Sequence, residues 1–135
     1  MKNSKRFACA AILLLALFVM INGCKKKSDD PVVTPVFTVT SSTVQLQSGG
    51  EGLQFFAKCT NNDVKMTNVS LTDPTPFISI FDCKGVSFVK NALIPLQNTG
   101  EAYMKKNGTW RFNLVGIRTS DNASFAVDAT LVVSK

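Results

Sequence analysis

The chain has 135 residues, with 15 lysines and arginines against nine aspartates and glutamates, and no histidine. Six of the basic residues precede position 36, so residues 36–135 hold nine basic and seven acidic side chains. This near balance argues against a nucleic-acid partner, because proteins of that class present a strongly basic surface. One hundred residues suffice for a single domain with one hydrophobic core and leave no room for a second.

The first 23 residues have the anatomy of a secretory signal peptide. Three basic residues lie within the first six positions, and the fifteen residues from Phe7 to Ile21 are all apolar or small. We therefore predict a helical leader over residues 1–23 that is removed by cleavage. A retained membrane helix is the less favoured alternative, because the apolar run is shorter than the ~20 residues that a spanning helix needs.

The leader ends in Ile21-Asn22-Gly23-Cys24, followed by three lysines, a serine and two aspartates. The four residues resemble a bacterial lipobox, and the charged run resembles the surface-export signal of Bacteroidota-type lipoproteins. The resemblance implies that Cys24 is acylated and becomes the first residue of the mature protein. It also implies a lipid anchor in the bacterial outer membrane, with the cell surface favoured over the periplasmic face. The alternative is an ordinary secreted protein in which Cys24 merely lies near the cleavage site.

Residues 24–35 are charged and then interrupted by Pro31 and Pro35. Such a composition favours an extended, flexible tether between the lipid and a domain. The predicted organisation is therefore a leader over 1–23, a tether over 24–35 and one domain over 36–135.

Apolar and polar residues alternate in the domain with the period of two that is typical of strands. The clearest examples are Leu53–Cys59, Trp110–Leu114 and Phe125–Val133, which are separated by turns rich in Gly, Asn and Asp. We predict an all-β fold, an immunoglobulin-like antiparallel β-sandwich of about seven strands. Residues 108–133 resemble the closing hairpin of such domains in bacterial surface proteins.

Three irregularities in the alternation give finer predictions. A change in the parity of the apolar positions predicts a bulge near Thr67-Asn68. The nearly continuous apolar run Phe77–Phe81 predicts a strand that is buried on both faces. The dipeptide Asn107-Gly108 predicts a tight hairpin turn.

Four cysteines are present, of which Cys9 lies in the leader and Cys24 is the predicted lipid site. Cys59 and Cys83 remain in the domain, and an even pair in an exported domain predicts one disulfide. Two buried thiols are the alternative, because free cysteine is among the most buried residue types.

The domain offers little catalytic chemistry. Without histidine the usual general base is missing, and we predict no catalytic residue, no metal site and no cofactor. The acidic residues fall mostly in predicted turns, where backbone capping is the expected role. Trp110 shares a strand face with Phe112 and is assigned to the core. Tyr103 is expected to be exposed near a hairpin tip and is the candidate ligand-binding residue.

These features favour a non-enzymatic envelope lipoprotein that acts as a binding or assembly module, with the membrane and an unidentified protein or glycan as partners. One alternative is a small inhibitor or accessory subunit of an outer-membrane complex, acting through the loop-rich stretch 84–106. A lipid-anchored hydrolase is the least favoured alternative. Strand addition at a sheet edge is a further possibility, although the sequence does not identify an open edge.

Overall fold

A computed structural model describes residues 33–135, and the predicted leader, Cys24 and most of the tether lie outside the described residues. The described chain is all-β and contains eight strands. Their bounds are β1 (Phe37–Gln45), β2 (Glu51–Cys59), β3 (Val64–Thr72), β4 (Ile78–Phe88), β5 (Ile94–Pro95), β6 (Tyr103–Met104), β7 (Gly108–Arg118) and β8 (Ser124–Val133). No helix within residues 33–135 is long and apolar enough to cross a membrane.

The strands form two antiparallel sheets. The first sheet has the order β1-β2-β5, with β6 also pairing with β2, and the second has the order β4-β3-β7-β8. The chain changes sheet between β2 and β3, between β4 and β5, and between β6 and β7. The predicted antiparallel β-sandwich is confirmed, with eight strands where the sequence predicts about seven. Six strands are long, whereas β5 and β6 have two residues each.

The core lies between the sheets and is built from the inward residues of β2, β3 and β7. Leu53, Phe55 and Ala57 of β2 are buried, as the alternation predicts. Trp110 and Phe112 of β7 face them, with ring centroids 4.8 and 5.1 Å from that of Phe55. Each large apolar side chain among them, such as Leu53 or Phe55, contributes about 1.5–3 kcal/mol through the removal of apolar surface from water.

The predicted bulge is confirmed, because the register of β3 against both neighbours shifts between Met66 and Asn68. On β4 the same irregularity spans Lys84 and Gly85, whose φ angles are 53° and 66°. Asp82 Oδ1 accepts a 2.8 Å hydrogen bond from the Lys84 amide and supports this kink. The bulge therefore divides β4 into two straight segments, because an extra residue bends a strand locally.

The prediction that Phe77–Phe81 is buried on both faces is wrong. Ile78 is 60% exposed and Ile80 76% exposed. The reason is that β4 is an edge strand and no other part of residues 33–135 covers its outward face, which leaves the isoleucines on that face exposed. Apolar continuity alone could not reveal this, because an edge strand with apolar outward positions gives the same pattern.

The hairpin predicted at Asn107-Gly108 is also wrong. The preceding strand β6 pairs with β2 in the first sheet, whereas β7 begins at Gly108 in the second sheet. The dipeptide thus carries the chain between the layers. Gly108 has φ 129°, and a Cβ there would lie 2.9 Å from Cβ of Pro74, so the close approach of the β3–β4 loop requires glycine.

The two ends of the sandwich differ in what they hold. The end where the described chain begins, called here the proximal end, contains the β2–β3 and β7–β8 turns. There Asn61 accepts from the Val36 amide and donates to the Thr34 carbonyl, both at 2.9 Å. Residues 33–36 are therefore bonded to the domain, although the sequence places 33–35 in the tether. The opposite, distal end carries the β1–β2 turn, the β3–β4 loop and the approach to β7.

Candidate binding surface

The expected disulfide between Cys59 and Cys83 is not present in the structure. Both are free thiols and both are buried. Cys59 ends β2 in the first sheet, whereas Cys83 lies in the bulge of β4, which pairs only with β3 in the second sheet. The prediction is therefore corrected to two separate buried thiols. Burial, assisted by the neighbouring Asp82 charge, raises the pKa of Cys83 to about 11, which leaves this thiol protonated and unreactive at neutral pH.

Tyr103 is not the exposed residue that the sequence predicts. Its hydroxyl donates a 3.1 Å hydrogen bond to the Leu96 carbonyl, and its ring lies 5.8 Å from Phe55 and 6.2 Å from Trp110. Burial, and then the charge of Glu101, raise the pKa of the Tyr103 hydroxyl. The side chain is half-buried because β6 pairs with β2 and lays the ring over the core.

Asp73 is the buried acid of the domain, and its oxygens are occupied. Oδ1 accepts from the Thr75 amide, the Thr75 hydroxyl and the Phe77 amide at 2.8, 2.8 and 3.1 Å. Oδ2 accepts from Lys106 Nζ. The Lys106 bond, together with the amide and hydroxyl donors and against the effect of burial, holds the pKa of Asp73 well below its usual range. This carboxylate fastens the β3–β4 loop to the β7 approach and has no proton to exchange near neutral pH.

One side of the sandwich is open. On the other side β1 lies close to β8, with the Phe37 and Phe125 rings 5.6 Å apart. On the open side, among the strands of residues 33–135, β4 faces the two short strands β5 and β6 of the first sheet. We call this gap the seam.

Two recesses lie along the seam. The distal recess, about 290 Å³, has walls from β4 and β6 and reaches the buried Trp110. The other recess, about 370 Å³, lies between β4 and residues 95–99, with Cys83 in its lining. Apolar and polar groups mix in both, and among the described residues no three potential His, Cys, Asp or Glu metal ligands converge there or elsewhere.

Beside the distal recess lies an apolar strip at the start of β4. Phe77 is 66% exposed and adjoins the exposed Ile78 and Ile80. Ser79 and Phe81 alternate with them and point inward, because they pair with the buried Leu71 and Val69. Residues 77–82 are called the open edge below. The outward face of the remaining sheet mixes polar and apolar groups, with an Asn113–Asp128 hydrogen bond of 2.8 Å between β7 and β8 and an exposed Val132 on β8.

The backbone N–H and C=O groups of the open edge alternate in direction, toward β3 and away from it. The Asp73 amide donates to the Phe77 carbonyl at 3.0 Å, and the Phe77 amide donates back to the Asp73 side chain. Phe77 thus turns both backbone groups toward β3, and the alternation of an antiparallel ladder extends this to Ser79 and Phe81. The backbone groups of Ile78, Ile80 and Asp82 point the other way, where no strand of residues 33–135 pairs with them.

Comparisons with protein-family models, with curated proteins and with solved structures found no match to this chain. The site described here therefore depends on geometry alone. Sequence reasoning missed the open edge, although a signal existed: Pro74 and Pro76 precede the apolar run, and prolines are confined to strand edges and starts.

Proposed function

We propose that this protein is a non-enzymatic lipoprotein of the bacterial outer membrane, which acts as a binding or assembly module and is anchored by acylated Cys24. The single observation that carries the binding role is the open edge, an apolar and unpaired strand segment beside a recess. Contiguous apolar patches on a domain surface commonly mark interaction sites. The lipobox resemblance at residues 21–24 supports the anchor.

The direction of the strands supports this arrangement. The described chain begins at the proximal end, nine positions after Cys24. Fully extended, that stretch reaches roughly 30 Å at ~3.3 Å per residue. The open edge begins at the distal end, at Phe77, so a lipid-held domain would present it away from the membrane. Several acyl chains on Cys24 would suffice to hold it, since each buried CH₂ contributes about 0.8 kcal/mol.

The other candidate functions have less support. An inhibitor that inserts the stretch 84–106 into an enzyme needs a protruding loop. Instead, Gln97 accepts from the Phe55 amide at 2.8 Å, and the Leu96 amide donates to the Phe55 carbonyl at 3.0 Å. A hydrolase has less support because the sequence has no histidine and the buried acid, Asp73, is saturated with donors. An accessory subunit of an envelope complex remains compatible with the open edge.

Fatty-acid labelling tests the anchor. Cells expressing the full chain are fed an alkyne-tagged palmitate, and incorporation is compared for wild type, Cys24→Ser and the matched control Cys83→Ala. We expect label in wild type and the control, and none in Cys24→Ser, which should leave the membrane fraction or stay unprocessed. Equal labelling of all three, or of none, would refute the lipid anchor.

Crosslinking on intact cells tests the binding role. A photo-crosslinking residue replaces Ile80 on the open edge or, as the control, the exposed Val132 on the opposite edge of the same sheet. We expect a discrete adduct from position 80 alone. Monomer only at both positions, or the same adducts from both, would argue against a binding module that uses this edge.

A further inference from the structure

The open edge has the properties of an unpaired strand segment that can form a ladder with a further strand. Residues 76–81 carry no charge, and the adjoining Asp82 is the first ionisable side chain. The outward-pointing backbone groups of Ile78, Ile80 and Asp82 are available for a new ladder. Natural edges are commonly blunted with lysine or a bulge, and here both devices occur only later, at Lys84 and Gly85.

We propose that the occupant of the open edge is a second copy of this chain, paired antiparallel to it with the two-fold axis at Ser79. Backbone polarity limits the register. An antiparallel ladder forms only where residues with outward-pointing backbone groups oppose each other. An axis at Ser79 sets Ile78 opposite Ile80 of the second copy, and Ile80 opposite its Ile78. Both are hydrogen-bonded pairs, in which each residue donates to and accepts from the other, so together they form four backbone hydrogen bonds.

The side chains select this register over its neighbour. With the axis at Ser79, Ile78 and Ile80 of both copies form one apolar cluster on the outward face, and Phe77 of each copy lies opposite Phe81 of the other. An axis at Ile80 would satisfy the same backbone rule but would set Ile78 opposite Asp82. That arrangement places each Asp82 carboxylate beside an isoleucine of the other copy without supplying a partner, which is costly. With the axis at Ser79, Asp82 lies instead at the end of the ladder, opposite Pro76.

Charge complementarity favours this chain over a charged partner strand. Any lysine, arginine or acid on a foreign strand would lie beside Ile78 and Ile80, with no counter-charge from residues 76–81. The chain's own segment meets this requirement from Phe77 to Phe81, which carry no charge. Pro76 lies opposite Asp82 and, having no N–H, ends the ladder before the bulge at Lys84 is reached. The proposal does not depend on the lipid anchor.

Disulfide trapping in the full-length chain tests the register. With the axis at Ser79, the Ser79 residues of the two copies oppose each other as a pair that exchanges no backbone hydrogen bonds. In such a pair the Cα atoms are about 4.5 Å apart, within the ~4.4–6.8 Å range of disulfides. Ser79→Cys is therefore expected to form a covalent dimer under mild oxidation of detergent-extracted protein, and reductant should reverse it. The matched control is Ser87→Cys, an exposed serine beyond the bulge on the same strand, which should remain monomeric. Wild type reports any background from the native cysteines.

A second variant separates the pairing from random collision. Ile80→Lys changes a side chain that is 76% exposed, so folding should be preserved, but it sets charges within the pair. Ser79→Cys combined with Ile80→Lys should lose the dimer, whereas Ser79→Cys combined with Ser87→Lys should keep it. Sedimentation should report two copies for wild type and one for Ile80→Lys. The proposal would be overturned if wild type sediments as a monomer, or if a foreign protein occupies the edge. It would also be overturned if trapping at residue 87 equals that at residue 79, or if Ile80→Lys leaves trapping unchanged.

Discussion

Arg118 Nη1 donates a 2.5 Å hydrogen bond to the carbonyl oxygen of Val33, a residue 85 positions earlier in the chain. The Arg118 side chain is almost fully buried, and its Nη2 also binds the carboxylate of Asp121. One guanidinium thus joins the start of the described chain to the β7–β8 turn. This bond and those of Asn61 hold residues 33–36 against the proximal end of the domain.

Arg118→Met should therefore loosen the proximal end. Hydrogen bonds to charged groups contribute about 1.5–3 kcal/mol each, so we expect a loss of about 2 kcal/mol in the free energy of unfolding. Denaturant titration measures this loss, and limited proteolysis should show faster cleavage before Phe37. The control Arg111→Met removes an exposed arginine from the same strand and should change stability by less than about 0.5 kcal/mol. Equal effects of the two substitutions would contradict the role of Arg118.

The Asp73–Lys106 pair predicts a pH dependence. The folded-state pKa of Asp73 is depressed below the ordinary value of 3.8. Its contribution to stability is therefore fully present above that value and is lost as pH falls toward the folded-state pKa. Asp73→Asn should be less stable than wild type at pH 7, and the difference should shrink below about pH 4. The control Asp128→Asn alters an exposed acid. Its free energy of unfolding should still fall at acidic pH as that of wild type does, because Asp73 is retained. A constant difference between wild type and Asp73→Asn down to pH 2 would contradict this account.

Gly108 and Gly100 form a matched pair for the close approach at the distal end. Both have positive φ, but only at Gly108 would a Cβ meet another atom, in the Pro74 ring. Gly100→Ala should cost about 1 kcal/mol through backbone strain alone. Gly108→Ala should cost a further ~1–3 kcal/mol because the β3–β4 loop must move away. Thermal and denaturant unfolding measure both variants, and equal costs would show that the Pro74 contact is unimportant.

Tyr103→Phe isolates the hydroxyl that donates to the Leu96 carbonyl. The ring contacts with Phe55 and Trp110 are retained, so the expected loss in the free energy of unfolding is about 1 kcal/mol, the net contribution of one hydrogen bond. An exposed tyrosine would give no change. A stability equal to wild type, measured by denaturant titration, would restore the sequence-based prediction of an exposed ring.

The two thiols of the domain can be counted directly. Under native conditions we expect neither Cys59 nor Cys83 to react with a thiol reagent, because both are buried. After denaturation without reductant, both should be alkylated, and peptide mass mapping separates them from Cys9 and Cys24. Recovery of a peptide pair linked through Cys59 and Cys83 would contradict the structure and support the disulfide that the sequence predicts.

Much of the fold could be predicted from local pattern. The alternation in β2 identified Leu53, Phe55 and Ala57 as core residues, because a sheet with one buried face imposes a period of two. The parity change near Thr67 located the bulge for the same reason. These features depend only on neighbours in the chain.

The open edge could not be predicted in the same way, because it depends on which strands become neighbours. The run from Phe77 to Phe81 gives the same apolar pattern in a buried strand and in an edge strand. Likewise, Asn107-Gly108 favours a turn, but whether that turn joins paired strands or crosses between sheets depends on β6 pairing with β2. The position of Tyr103 could not be predicted either, because the two-residue strand β6 is too short to show a period of two.

The kink at Lys84 and Gly85 has a consequence for the number of molecules that can associate. An edge that stayed straight over its whole length could accept strands in several registers and grow into an open-ended fibre. The bulge leaves only one short straight segment before it, and a two-fold contact occupies that segment on both molecules at once. Association at this edge would therefore stop at a dimer, because no unpaired part of the open edge would remain to bind a third copy.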